Sequence, residues 1–159
     1  MKRTSLITLG LFTATLVLAI ACSAPEPTKT PAPRSQSEID SKRGRPIIST
    51  VGDALRFDRA ELRETNQASI KLTFVNASKI YQHNWVLVKA GTKDAVASAG
   101  AAAGAENGWI PTGDDRILAH SGLLDPGETE VVSFSAPFVG TYQFVCTFPG
   151  HAATMFGNL

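Results

Sequence analysis

One short stretch near the C-terminus, Cys146-Thr147-Phe148-Pro149-Gly150-His151-Ala152-Ala153-Thr154-Met155, carries a thiol, an imidazole and a thioether. Four residues separate Cys146 from His151 and three separate His151 from Met155, with no carboxylate between them. Soft and borderline donors of this kind suit copper, which must be held as both Cu(I) and Cu(II). Pro149-Gly150 forces a tight reversal that folds the donors toward one point. A second imidazole would complete a trigonal His2Cys site with a weak axial Met. The candidate is His83, in Gln82-His83-Asn84-Trp85-Val86-Leu87-Val88.

Taken singly, each residue has an ordinary reading: a buried small hydrophobe, a core Met, a structural His. Their combination is what points to a metal. Zinc accepts Cys and His but not the thioether, and iron–sulfur clusters need more thiolates than this chain has. A Cys146–His151 nucleophile pair would lack an orienting acid and leave Met155 and His83 unexplained. Three histidines cannot build a trinuclear copper centre, so direct oxygen or nitrite reduction is not expected. The third, His120, lies beside a predicted turn and is expected to be partly exposed and structural.

The elements that must position these residues are strands. Ser69 to Asn76 alternates, with Ile70, Leu72 and Phe74 on one face and Lys71 and Thr73 on the other, the period of a half-buried strand. Further strands are expected over 47–51, 81–88, 117–119, 128–135 and 140–146, with weaker ones over 54–57 and 60–63. Tyr142, Phe144 and Cys146 should share a face. The Ala-rich stretch 94–106 predicts a short helical insertion. The sum is an all-β, two-sheet β-sandwich. His83 and Cys146 lie near strand ends, so their loops can converge at one pole.

The chain has 159 residues, enough for one domain with a real core. Its formal net charge is +1, and removing Lys2 and Arg3 leaves 13 basic residues against 14 acidic ones. That balance argues against nucleic-acid binding. The one basic run, Lys42-Arg43-Gly44-Arg45, reads as a solvated juxtamembrane stretch or as a contact for anionic lipid heads.

Met1-Lys2-Arg3 precedes an uncharged, apolar or small run over 5–21, the layout of an export signal. Leu18-Ala19-Ile20-Ala21-Cys22 resembles a bacterial lipoprotein processing site, which would make Cys22 the lipidated N-terminus. Cleavage nearby, or retention of the run as a single span, also fits this layout, and all three outcomes put the domain outside the cytoplasm. Residues 23–46, with Pro25, Pro27, Pro31, Pro33 and Pro46, form an extended linker. The two cysteines, Cys22 and Cys146, thus have separate roles and no disulfide is expected.

The two motifs at 82–88 and 146–151 resemble those of the small blue copper proteins, or cupredoxins (the plastocyanin/azurin-like family), and within them the auracyanins and azurins. The resemblance spans about residues 47–159. It implies a Greek-key sandwich with one type 1 copper and one-electron transfer rather than catalysis. By motif position His83, Cys146 and His151 become equatorial ligands and Met155 the axial one. It further implies that Asn84 ties the His83 strand to the loop at Thr147 and that the Phe148 amide donates to the Cys146 sulfur. Pro149, lacking an N–H, removes one such bond.

Three departures stand out. Gln82 replaces the Gly that precedes the first His in azurin, and its carbonyl is expected near the metal. Azurin's disulfide has no counterpart. The chain ends four residues after Met155, which predicts a shortened terminal strand and weaker support for Met155. The resemblance also implies a His151 edge at the surface within an apolar patch of Phe148, Pro149, Ala152, Ala153 and Phe156. The resulting expectation is a monomeric, membrane-anchored extracytoplasmic (periplasmic or outer-face) electron shuttle. Its partners would be c-type cytochromes or membrane complexes of respiration or photosynthesis. A copper storage or delivery module is the alternative, although such proteins favour Met-rich sites and only Met1 and Met155 occur here.

Overall fold

The computed structural model describes residues 45–64 and 69–159. The export segment, Cys22 and the linker up to residue 44 lie outside the described residues. Among the described residues no helix is long and apolar enough to cross a membrane.

Eight strands form two four-stranded sheets. The first has the order β2(Ala54–Phe57), β1(Ile47–Val51), β3(Ile70–Val75), β6(Thr129–Phe134). The second has the order β5(Ile117–His120), β4(Val86–Val88), β7(Gln143–Val145), β8(Phe156–Asn158). Only β1 and β3 run parallel; the other pairs are antiparallel. This is the all-β Greek-key sandwich with a short helical insertion.

The alternation read for β3 is realised. Ile70, Leu72 and Phe74 are buried while Lys71 is exposed, because successive strand side chains point to opposite faces. The inner faces of the two sheets meet in one core that contains Ile48, Phe57, Leu72, Phe74, Trp85, Leu87, Phe144, Cys146 and Met155. Phe57 stands edge-on to both Phe74 and Phe144, at 6.1 and 5.4 Å between ring centroids. Each large apolar side chain fully buried here contributes about 1.5–3 kcal/mol.

The second sheet is covered on its outer face too. Val86, Val88 and Val145 pack against Val96 of helix α1(Lys93–Ala103) and against Ile110. Hence all three residues of β4 are buried; the unbroken Val-Leu-Val run is the sequence of a strand covered on both sides. Asp94 in the first turn of α1 suits the helix dipole. Gly100 lets the helix lie close: a Cβ there would stand 2.3 Å from the Trp109 carbonyl oxygen and 3.2 Å from Thr147 Cβ. A 3-10 turn, Ala105–Asn107, follows.

Several expected strands are shorter than their apolar pattern. Of 81–88 only Val86–Val88 is ladder; before it, His83 pairs with Leu124 in an isolated bridge and the Trp85 amide donates to Ser121 Oγ at 2.9 Å. Residues 60–63 form no strand, although Glu61 bridges Asn158. β7 is assigned only to Val145, although the Cys146 amide still reaches the Met155 carbonyl at 3.0 Å, one step further along the β7–β8 register. The terminal strand β8 is short but held on both sides. Leu159 exchanges main-chain bonds with Tyr142, and Asn158 bonds to Ala60 and Leu62. β8 thus has a row of main-chain bonds on each side.

Candidate metal centre

Cys146 leaves the end of β7 pointing inward, and the ten-residue loop returns on itself. His151 N–H donates to the Phe148 carbonyl at 3.0 Å, Met155 N–H to the His151 carbonyl at 2.9 Å, and Cys146 N–H to the Met155 carbonyl at 3.0 Å. Gly150, at φ 85°, supplies the left-handed residue this reversal requires. His83 arrives from the stretch ahead of β4, exchanging main-chain bonds of 3.1 and 2.8 Å with Leu124.

The three side chains meet. Cys146 Sγ lies 3.8 Å from His83 Nδ1 and 3.5 Å from His151 Nδ1, and the donor atoms all fall within 4.8 Å of one another. A first-row ion about 2.3 Å from a thiolate and about 2.0 Å from an imidazole nitrogen, in a trigonal plane, would hold S and N about 3.7 Å apart. The spacing therefore fits a metal with two nitrogens and one sulfur. Among the described residues this is the only such cluster of His, Cys, Asp or Glu. One thiolate and two imidazoles, with no carboxylate, suit copper.

Burial decides the charge states. Cys146 and His83 are fully buried and His151 keeps 4% of its surface. Desolvation pushes the Cys146 thiol up to about 11, against the main-chain N–H groups of Asn84 and Phe148, which favour the thiolate. Desolvation lowers His83 to about 4, and the neighbouring His151 adds to the shift. His151 is lowered by burial as well. Without metal the site is thus a protonated thiol facing two neutral imidazoles, ready to exchange one proton for a cation.

Asn84 joins the His83 segment to the Cys146 loop. Thr147 N–H donates to Asn84 Oδ1 and Asn84 Nδ2 donates to Thr147 Oγ1, both at 2.8 Å. Asn84 Nδ2 also reaches the Gly108 carbonyl at 3.0 Å, tying in the turn after α1. Phe148 stacks at a tilt on His151, with 4.6 Å between centroids, and Trp109 stands edge-on to Phe148 at 5.7 Å. Pro149 is exposed at the loop tip. The Gln82 side chain turns outward, donating to Asp125 at 2.6 Å. Met155 is fully buried in the same core cluster as Cys146. His120 is exposed, its Nδ1 2.9 Å from the Ser121 carbonyl, and takes no part in the site.

Two expectations change. Phe156 does not belong to the surface around His151: it pairs with Val145 in β8 and lies beneath Lys93 Nζ, 4.3 Å from its ring centre. Ala152 packs inward against the outer cluster of Val86 and Val145. Exposed Tyr81 takes their place, edge-on to His83 and His151 at 6.4 and 6.1 Å.

Three contributors were missed. Asn76 Nδ2 is within 2.9–3.1 Å of the carbonyls of Tyr81, Leu124 and Asp125, on both sides of His83. Its signal was legible, a polar residue in the buried phase of β3 after Ile70, Leu72 and Phe74. The Asn84 main-chain N–H and the Ser121 hydroxyl left no such trace. His83 Nε2 is buried with no partner among the described residues, so on the protein side the ring is held by packing and by the contact of its Nδ1 with Cys146 Sγ.

The sandwich and its Cys-His-His cluster define a blue copper protein. The family described as copper binding proteins, plastocyanin/azurin family, matches residues 47–159, and the chain belongs to it. It is 40% identical to auracyanin-A of Chloroflexus aurantiacus, over 70% of each chain. It is 35% identical to azurin of Bordetella pertussis, over 67% of this chain and 77% of that one. Among solved structures, the reduced auracyanin of Roseiflexus castenholzii superposes with a TM-score of 0.69 at 35% identity, covering 72% of this chain and 94% of that one.

Proposed function

We propose that this chain is a mobile one-electron carrier held at the outer face of a membrane by its N-terminus. It passes electrons between respiratory or photosynthetic redox complexes, with c-type cytochromes among its partners, and works as a monomer and not as an enzyme. One observation carries the reading: a buried thiol faces two imidazole Nδ1 atoms at 3.8 and 3.5 Å within a loop braced by Asn84.

His83, Cys146 and His151 would hold a copper ion, which would supply a one-electron couple between Cu(I) and Cu(II). Met155 is assigned as the weak axial donor, supported by its burial beside Cys146, and the Gln82 carbonyl as a distant contact. Cys146 gives up its proton once, on loading. The amides of Asn84 and Phe148 then stabilise the charge on its sulfur, and Pro149 adds no third donor. The Asn84–Thr147 pair keeps the loop in place whichever charge the site carries, so little need reorganise. His151 is the assigned exit, because of the two imidazoles it alone keeps any surface. Tyr81 and Pro149 give that pole an exposed, largely apolar rim on which a partner can dock.

Residues 1–22 are assigned as export signal ending in lipidated Cys22, and 23–46 as the tether. Copper(II) added to the purified chain should develop the intense visible band of thiolate-to-copper charge transfer, and Cys146→Ser should abolish it. A colourless protein that takes up Cu(I) alone would instead indicate storage or delivery and overturn the carrier.

A further inference from the structure

Phe138 and Val139, adjacent in the β6–β7 connection, are 93% and 88% exposed. No other two neighbouring apolar residues among those described are so bare. Pro137 and Gly140 flank them, and the Tyr142 hydroxyl donates to the Phe138 carbonyl at 2.8 Å, which pins the tip outward. The tip precedes β7, and Cys146 follows it, so the two lie at opposite ends of that strand. Seven residues of extended chain would span about 23 Å.

The chain enters the domain at the same end. Ile47 pairs in parallel with Thr73, so the chain ahead of it runs back along β3 toward Ile70, and Ile70 pairs with Phe134, where β6 leads into the tip. One surface joins the features. Glu64 lines both the hollow beside Phe138, Val139 and Tyr142 and the next one, which Arg45, Pro46 and Arg59 line together with Arg63 and its ion-pair partner Glu61. Arg45 continues into a third with Lys71 and exposed Val131. The basic run Lys42-Arg43-Gly44-Arg45 ends here as well.

We propose that this pole rests on an anionic lipid bilayer, with Phe138 and Val139 inserted at the headgroup–acyl boundary and Arg45 and Lys71 over the headgroups. This inference rests on the tethered reading of the N-terminus and adds an orientation to it. Adjacent bare apolar side chains gain by leaving water. Basic residues are drawn to an anionic leaflet within a Debye length. The half-buried Tyr142 has the amphipathic character favoured at that depth. The copper pole then faces away from the membrane, toward soluble partners.

The test uses the full, copper-loaded chain carrying Phe138→Trp, reconstituted with vesicles of phosphatidylcholine and phosphatidylglycerol. Retention of the visible band reports the fold. If the tip inserts, brominated acyl chains quench the added emission at least twofold relative to unbrominated vesicles, and Val139→Asp in the same chain removes most of that quenching. Flotation with the vesicles but no quenching overturns the docking and leaves the tether standing. Failure to float overturns both. A concentration-dependent blue shift of the added emission without vesicles assigns the tip to self-association and overturns the lipid contact.

Discussion

Asn84 and Thr147 exchange two hydrogen bonds of 2.8 Å across 63 residues of sequence, joining the two halves of the copper cradle. Asn84→Leu should therefore cost about 2–4 kcal/mol, since it strands a buried Thr147 N–H as well as losing the bonds. Thr147→Val keeps the main-chain bond and should cost about 1 kcal/mol. Urea unfolding of the apoprotein measures both. Equal costs would mean the hydroxyl matters as much as the amide.

Gly100 is where the helical insertion reaches the site. In Gly100→Ala the new methyl meets the Trp109 carbonyl at 2.3 Å, and that is backbone that cannot swing aside. Overpacking of this kind costs about 1–3 kcal/mol. Because Thr147 is the next atom in the path, the visible band should shift along with the loss of stability. A destabilised variant with an unaltered spectrum would separate the helix from the metal loop.

Met155 is assigned the weak axial position. Met155→Leu preserves volume and should cost under about 1.5 kcal/mol in stability. The variant should keep copper and colour but change its reduction potential, read by redox titration. An unchanged potential would remove Met155 from the ligand set.

Copper uptake should depend on pH through Cys146, whose thiol titrates at about 11. Near neutrality each ion bound displaces one proton, and the apparent affinity should rise about tenfold per pH unit. A pH-indicator titration during metal addition counts that proton. Acid acts on the imidazoles. His83 is depressed from 6.5 to about 4, so the unfolded chain binds its proton first as pH falls. Above about pH 6.5 both states are neutral and the shift has no effect; as pH falls from there toward about 4 the protonated unfolded state is favoured, and the fold loses about 2–3 kcal/mol. His151 acts in the same direction. Thermal unfolding of the apoprotein at pH 7 and pH 4 should show the drop.

The clustering of His83, Cys146 and His151 was legible because metal chemistry selects few residue types. A thiol and an imidazole within six residues, with His83 beside a Val-Leu-Val strand, leave little else to propose. The strand ends were less legible. A strand is expected over 81–88, yet the ladder begins only at Val86, since the main chain around His83 is held by Leu124 and Ser121. Periodicity reports which face is buried, not which partner takes the hydrogen bond.

The sequence by itself determined the sandwich, the donors and the copper, because side-chain period and donor softness are local properties. Only the tertiary structure decided that α1 lies over the second sheet and presses Gly100 against Thr147. It alone turned Phe156 away from the His151 surface, put Tyr81 there, and left Phe138 and Val139 bare at the far pole. These are contacts between segments tens of residues apart. Packing fixes them, and no spacing along the chain encodes it.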